Sequence, residues 1–382
     1  MDRKYDMPLL PLSYDVETKT VLRQLCRSHM MLAELKGIAQ AIPNEQILIS
    51  TLTLQEAKDS SEVENIVTTR DDIYKAELSL RQKVANAAAK EVLAYREAIK
   101  TGFKEVKRHH LLTNNMIKQI QASLVKNNAG FRQMPGTRLE SGDGKVVYTP
   151  PQDKQEIEKY MLNLETFIND EQACALDPLV KLAVIHHQFE SIHPFYDGNG
   201  RTGRIVCVLY LVKTGLLDLP ILYLSRYITH NKSKYYELLQ AIRDRQGDNS
   251  QEWEQWILFV LRGIEETATG TIKLVKGISG LMNKYKAELR PLFGKQYRHE
   301  LLNNLFFHPY TKIEFIERDM MVERRTAARY LDKIVDTGLL RKMRIGRTNY
   351  YINTALVDLF VHHSEIGKNA PTTEPGNIST YT

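Results

Sequence analysis

The stretch that decides the reading is His193-Pro194-Phe195-Tyr196-Asp197-Gly198-Asn199-Gly200-Arg201-Thr202-Gly203-Arg204. It lies between two apolar, helix-like segments, 182–192 and 205–212. One short turn therefore carries an imidazole, a carboxylate, three glycines and two arginines. Gly198, Gly200 and Gly203 allow the backbone to turn sharply and approach a ligand closely. A helix that starts out of such a turn points unpaired N–H groups into it, and that end is an anion site. Arg201 and Arg204, three apart, share the first helical turn and can add charge-assisted bonds to phosphate oxygens. Asp197 is the only acid in the loop and suits Mg²⁺, which takes one or two carboxylates plus substrate phosphates. His193 is placed to accept a proton from an attacking hydroxyl. A lone His-Pro-Phe or Gly-Asn-Gly would be read as a structural turn; the whole ordered string carries the equipment of nucleotide-dependent group transfer.

Outward from the loop the chain reads as helices. Apolar spacing predicts them at 16–41, 44–58, 70–101, 113–127, 155–169, 178–192, 202–213, 232–245 and 251–286. Pro43 and Gly215 serve as stops. The segment 202–213 is apolar nearly all round and should form the buried centre of a bundle. Residues 136–151 differ: Ser141-Gly142-Asp143-Gly144 precedes Lys145-Val146-Val147-Tyr148-Thr149, the pattern of a β-hairpin. Beyond Arg290, helices at 297–307, 312–318 and 322–337 are followed by strand-like 339–344 and 348–352, as in a winged helix-turn-helix. Residues 1–13 read as an extended arm, and 366–382, rich in Gly, Pro, Ser and Thr, as a flexible tail.

Composition is that of an ordinary globular protein: 382 residues, 43% hydrophobic, 26% charged, formal charge +6, enough for two or three domains. The mild basic excess tolerates nucleic acid without demanding it. Cys26, Cys174 and Cys207 show no metal-ligand spacing and read as reduced thiols in a cytoplasmic protein. The start of the chain has no long apolar run that would make a signal peptide, and 205–212 is far too short to span a bilayer.

The loop resembles the signature of the Fic (filamentation-induced-by-cAMP) family, His-x-Phe-x-Asp/Glu-Gly-Asn-Gly-Arg-x-x-Arg, with every specified position present. The resemblance implies an all-α, Fic-type helical bundle with a β-hairpin flap, and a protein adenylyltransferase that moves AMP from ATP to a Ser, Thr or Tyr hydroxyl. By position, it implies His193 as general base and Phe195 as the core anchor of the loop. Asp197 becomes the Mg²⁺ ligand. Gly198, Asn199 and Gly200 become the anion hole, with Arg201, Thr202, Gly203 and Arg204 completing the nucleotide site. The hairpin 136–151 resembles the family's flap, which pairs with a strand of the target protein. Tyr236, with Tyr227 near it, falls where the family builds its adenine pocket.

Ser60-Ser61-Glu62-Val63-Glu64-Asn65 resembles the family's inhibitory pattern, Ser/Thr-x-x-x-Glu-Gly/Asn. It implies a helix at about 60–66 whose Glu64 pairs with Arg204 and occupies the place of the γ-phosphate. The division that follows is 1–100 for an N-terminal helical region, 101–285 for the catalytic core and 290–355 for the small C-terminal winged helix. The basic excess of the last, through Arg324, Arg325, Arg329, Lys333, Arg341, Lys342, Arg344 and Arg347, suits DNA. A homodimer fits the resemblance, and no membrane association is expected. Two alternatives stand beside transfer: removal of AMP at the same site, and an ATP-sensing, DNA-binding regulator. Transfer of UMP, phosphocholine or phosphate is also open, because the loop reads phosphates and not the base.

Overall fold

The computed structural model describes residues 5–69, 87–141, 144–170, 175–245, 247–345 and 348–365. Among the described residues the chain is all-α apart from two small antiparallel sheets. Helix α1, Lys19–Ala39, starts where the Thr18 side chain accepts the Val21 N–H, a helix cap of the usual kind. Its buried stripe Val21, Leu25, Leu32 and Leu35 lies along the longest of the described helices, given below. Helix α2, Glu45–Val63, is capped by Asn44 and buried on nearly every side, from Ile47 to Ala57 and at Asp59, Ser60, Ser61 and Val63. The helix runs past the expected stop at 58, so the segment carrying Glu64 is its C-terminal end and no separate element.

That end has a local cause. Ile66 N–H donates to Ser61 O and Asn65 N–H to Glu62 O, while Asn65 adopts φ 61°. This is a Schellman stop, whose left-handed residue is glycine or asparagine. The Asn of the Glu-Asn pair is thus explained by the backbone, and it fixes where Glu64 emerges.

Helix α3, Ala87–His109, and α4, Asn114–Val125, pack on each other. The expected 70–101 helix lies outside the described residues over 70–86, and its C-terminal part continues eight residues further than expected, to His109. The hairpin forms from β1, Leu139–Glu140, and β2, Val146–Tyr148, with Leu139 opposite Tyr148 and Glu140 opposite Val146. Ser141 N–H to Lys145 O and Gly144 N–H to Ser141 O close its tip. Helix α5, Lys154–Asn169, follows, then α6, Pro178–Ile192, and α7, Asn199–Lys213. Both α6 and α7 are buried almost throughout, and they pack against each other with the loop between them. Helices α8, Ser225–His230, and α9, Lys232–Asp244, lead to α10, Ser250–Phe293.

Helix α10 is the spine. Trp253 and Trp256 are fully buried, and the Trp256 indole N–H donates to Ala183 O at 2.8 Å, tying α10 to α6. Expected to end near 286, it runs on to Phe293 through Pro291. Tyr285 OH then meets Leu339 O at 2.7 Å and Asn353 Oδ1 at 2.6 Å. Around that extension lie α11, His299–Phe307; β3, Tyr310–Thr311; α12, Ile313–Met320; α13, Arg324–Asp336; β4, Arg341–Ile345; β5, Thr348–Ile352; and α14, Thr354–Glu365. The strands pair in the order β3-β5-β4. Strand β3 and helices α8 and α14 were not anticipated: β3 is two residues long and α8 six, too short to show a period. Helix α11 rests on α2. No described helix is long and apolar enough to cross a membrane.

Candidate functional site

The loop begins at a strained corner. His193 ends α6 in the left-handed region, φ 49° and ψ 59°, with its N–H on Phe189 O. Pro194 then prevents the helix from continuing. Phe195 is fully buried, its ring 5.3 Å from Phe131 and 6.4 Å from Phe189. The Asn199 side chain closes the turn: Oδ1 accepts from Phe195 N–H and Nδ2 donates to Phe195 O, both at 2.8 Å. Gln121 holds the Asp197 carbonyl at 3.1 Å. Gly198, at φ 77°, starts α7 with no side-chain cap. The first N–H groups of α7 therefore have neither an intrahelical acceptor nor a capping side chain, which is the geometry of an anion site.

Both loop arginines turn to α2. Glu64 Oε1 lies 3.0 Å from Arg204 NH2, and Oε2 lies 2.8 Å from Arg201 Nε. The sequence pointed to Arg204; the carboxylate in fact spans both. Arg204 also donates to Ser60 Oγ and Ser60 O at 2.8 and 2.9 Å. Arg201 reaches Glu91 on α3 at 3.0 Å and Asp197 at 3.4 Å. Gly200 is the residue over which this contact forms: a Cβ there would stand 2.8 Å from Glu64 Oε1 and 3.0 Å from Arg204 NH1. Arg204 is buried; burial opposes its charge, but Glu64, Tyr95, Tyr235 and Glu190 more than offset that and hold it protonated.

Two buried carboxyls stand behind the arginines. Glu190, one turn before the loop, is lifted to about 7 by burial, with Arg204 and Arg243 pulling it down. It sits where a Cβ on Gly203 would meet its Oε1 at 2.7 Å, so Gly203 serves the close approach of α6 and α7. Glu56, two turns before Glu64 on α2, accepts from Tyr95 OH at 2.9 Å and from Ser225 Oγ. Burial lifts it to about 8. Glu56 is therefore mostly neutral at pH 7, whereas Glu190 is near its midpoint there. The Thr202 side chain is buried within the same packing.

His193 is half-buried. Loss of water around the ring, with the charges of Arg132 and Arg243, pushes it down to about 3, the Glu190 carbonyl pulling the other way. The imidazole is neutral at pH 7. The Asp197 carboxylate is largely exposed, 67%. Among the described residues no group of three or more His, Cys, Asp or Glu side chains gathers to hold a metal. One exposed carboxylate still fits Mg²⁺, which completes its shell with water and substrate phosphates. Tyr236 is half-buried on α9, its ring edge-on to Tyr235 at 5.1 Å. Tyr227 packs against Phe259 at 5.0 Å.

The structure thus brings Glu64, Arg201, Arg204, Asp197 and the start of α7 together, and sets His193 at the loop's other end. Sequence reasoning missed Glu91, Glu56, Glu190 and Arg132. Glu56 and Glu190 had a signal, an acid inside an apolar helical stretch; Glu91 and Arg132 had none.

Three family models match the chain: the Fic/DOC family N-terminal model over residues 22–104, the Fic/DOC family model over 111–211, and the model for the C-terminal domain of SoFic-like protein adenylyltransferases over 281–356. Among curated proteins, protein adenylyltransferase fic-1 of Caenorhabditis briggsae is 34% identical over 96 residues, 25% of this chain and 17% of that protein. Protein adenylyltransferase Fic of Aedes aegypti is 33% identical over 84 residues, 22% of this chain and 16% of that protein. The match therefore spans only about a sixth of these relatives' length. Among solved structures, a Fic family protein from Desulfovibrio desulfuricans G20 has the same fold with TM-score 0.52 and 16% identity, covering 91% of this chain and 98% of the other. A Fic domain containing signaling protein from Bacteroides thetaiotaomicron has TM-score 0.51 and 19% identity, covering 66% and 97%.

Proposed function

The chain belongs to the Fic family, and from that premise we propose that it is a protein adenylyltransferase restrained by Glu64. The observation that carries the reading is one juxtaposition: a neutral imidazole, the uncapped start of α7, and two arginines whose shared partner is a single carboxylate. ATP is the substrate. Its triphosphate would lie at the α7 N-terminus, the main-chain N–H groups of Asn199 and Gly200 meeting phosphate oxygens, and Arg201 and Arg204 taking the charge that Glu64 now neutralises. Asp197 would hold Mg²⁺, which when bound offsets phosphate charge.

His193 takes the proton from a target Ser, Thr or Tyr hydroxyl. The hydroxyl oxygen bonds to the α-phosphorus as the bond to the bridging oxygen of the β-phosphate breaks. AMP ends on the target and pyrophosphate leaves. The target strand pairs with the flap, β1 and β2. Tyr236 is the residue proposed to border the base. The brake reading rests on both Glu64 oxygens facing loop arginines; removal of AMP at the same site is the alternative, and loss of AMP from a modified target in the parent but not in Glu64→Gly would favour it.

We assign the region 290–355 to a winged helix-turn-helix with a nucleic-acid role. Arg325 and Arg329 are exposed one turn apart on α13, and Arg341 is exposed on β4. Arg324, by contrast, is held by Glu314 and Glu317. A phosphate-contacting role predicts salt-dependent binding to duplex DNA that Arg325→Glu weakens on every sequence. The free thiols Cys26 and Cys207 suit a cytoplasmic setting.

The test of the main reading is transfer of label from α-³²P-ATP with Mg²⁺, to the protein itself or to a lysate, by the parent, Glu64→Gly and His193→Ala. Label that rises in the first variant and vanishes in the second supports adenylyl transfer. No label in any of them, with ATP bound, rejects it.

A further inference from the structure

The Arg132 side chain is completely buried, and among the described residues no carboxylate pairs with it. Buried arginines are normally paired with an acid. This one donates to main-chain carbonyls: Nε to His193 O at 2.7 Å, and NH2 to Ile192 O at 3.3 Å and to Pro151 O. Its own N–H donates to Pro194 O at 2.8 Å.

Two of those carbonyls close α6. The last carbonyls of a helix lack intrahelical donors and carry the negative end of its dipole, so a guanidinium there is favourable without a carboxylate. The residue it grips, His193, is the one held in the left-handed region. The third carbonyl, Pro151 O, ends the flap. At that root Gln152 joins the two flap ends, accepting from Gly136 N–H at 2.7 Å and donating to Thr137 O at 2.9 Å.

The strip around Arg132 follows the loop nearly residue for residue. The Phe131 ring lies on Phe195, and the N–H groups of Gln133 and Met134 both donate to Tyr196 OH, at 2.9 and 3.0 Å. One guanidinium therefore joins the flap root to the backbone of the proposed base.

We propose that Arg132 is a positioning residue that locks the flap and His193 into one rigid unit, so that a target strand docked on the flap is brought into register with the imidazole. This rests on the adenylyl-transfer reading. Arg132 acts through the backbone of His193 and touches no reacting atom.

The test uses the full-length Glu64→Gly protein as background, with Arg132→Lys and Arg132→Met added. Three quantities are read: ATP affinity, the rate of label transfer from α-³²P-ATP, and hydrogen exchange of residues 136–151. Lysine keeps the charge but cannot reach three carbonyls at once. Expected are ATP affinities within about twofold of the background, and transfer about 10-fold slower in Arg132→Lys and slower still in Arg132→Met. Flap exchange should be faster in both.

The pH profile adds a readout that a purely structural role would not move. Arg132→Met removes one of the charges that keep His193 neutral, so its acid limb moves to higher pH, whereas that of Arg132→Lys stays. Transfer and flap exchange equal to the background in Arg132→Lys overturn the proposal, even if Arg132→Met fails to fold. If the background transfers no label although it binds ATP, the activity reading fails; faster flap exchange in Arg132→Lys then still supports the tether, and unchanged exchange overturns it.

Discussion

Glu64 and Arg204 meet at 3.0 Å across 140 residues of chain. Arg204 also bonds twice to Ser60, one turn earlier on the same helix. The end of α2 is thus clipped to the start of α7 by a single guanidinium, and the carboxylate lies where an anionic ligand would be bound.

Glu64→Gly removes a charge-assisted hydrogen bond from Arg204 and an ion-pair contact from Arg201. A hydrogen bond to a charged group is worth about 1.5–3 kcal/mol, so ATP affinity should rise about 10- to 100-fold. The stabilisation of the fold by ATP, read as a thermal shift, should be larger in the variant than in the parent. Equal shifts at equal ATP would show that Glu64 does not compete with nucleotide.

Glu91 contributes less. It is 41% exposed where it meets Arg201, and such half-solvated pairs are worth about 1 kcal/mol or less. Glu91→Gln should raise ATP affinity by no more than about fivefold, and its effect should shrink in the Glu64→Gly background if both acids compete for Arg201 with the same ligand. Titration calorimetry on the two single variants and the double variant measures this coupling.

Gly203→Ala tests the contact between α6 and α7. The new Cβ would stand 2.7 Å from Glu190 Oε1 and 3.0 Å from the Phe189 ring, and Phe189 is fully buried. Overpacking of this sort costs about 1–3 kcal/mol. A midpoint in urea indistinguishable from that of the parent would mean that α6 and α7 have room the structure does not show.

Glu56 makes stability depend on pH. Burial raises its carboxyl from 4.5 to about 8. Below the unfolded value it is neutral in both states, and its contribution is fully present. As pH rises from there through about 8, the unfolded chain gives up the proton more readily than the folded one, and that contribution is lost. Glu56→Gln, which keeps an acceptor for Tyr95 and Ser225, should match the parent near pH 4. It should become the more stable by roughly 3–5 kcal/mol near pH 8. Denaturant unfolding of both proteins across that range checks the slope.

How much of this was legible beforehand varied with the range of the interaction. The helices of the bundle, the hairpin and the glycine-rich loop are written in local periodicity and turn residues, and those parts of the fold could be read directly. Helix ends were read less well. The polar face Asp59-Ser60-Ser61 looks like a solvated segment, yet α2 carries it into the interior because Arg204 and Arg226 meet it there. Helix α10 was expected to end near 286, yet it runs through Pro291 to Phe293, because near a helix end proline removes a single N–H.

By itself the sequence determined which chemistry the loop can carry: an imidazole, a carboxylate, glycines and two arginines stand within twelve consecutive positions, so the chain had to place them together. Only the tertiary structure decided that Glu64 spans both arginines, that Glu91 joins them, that Glu56 and Glu190 are buried acids, and that Arg132 grips His193 and the flap root. Those relationships join residues far apart in the chain, and their energy comes from desolvation and from charge held at about 3 Å. Neither quantity exists until the helices have packed.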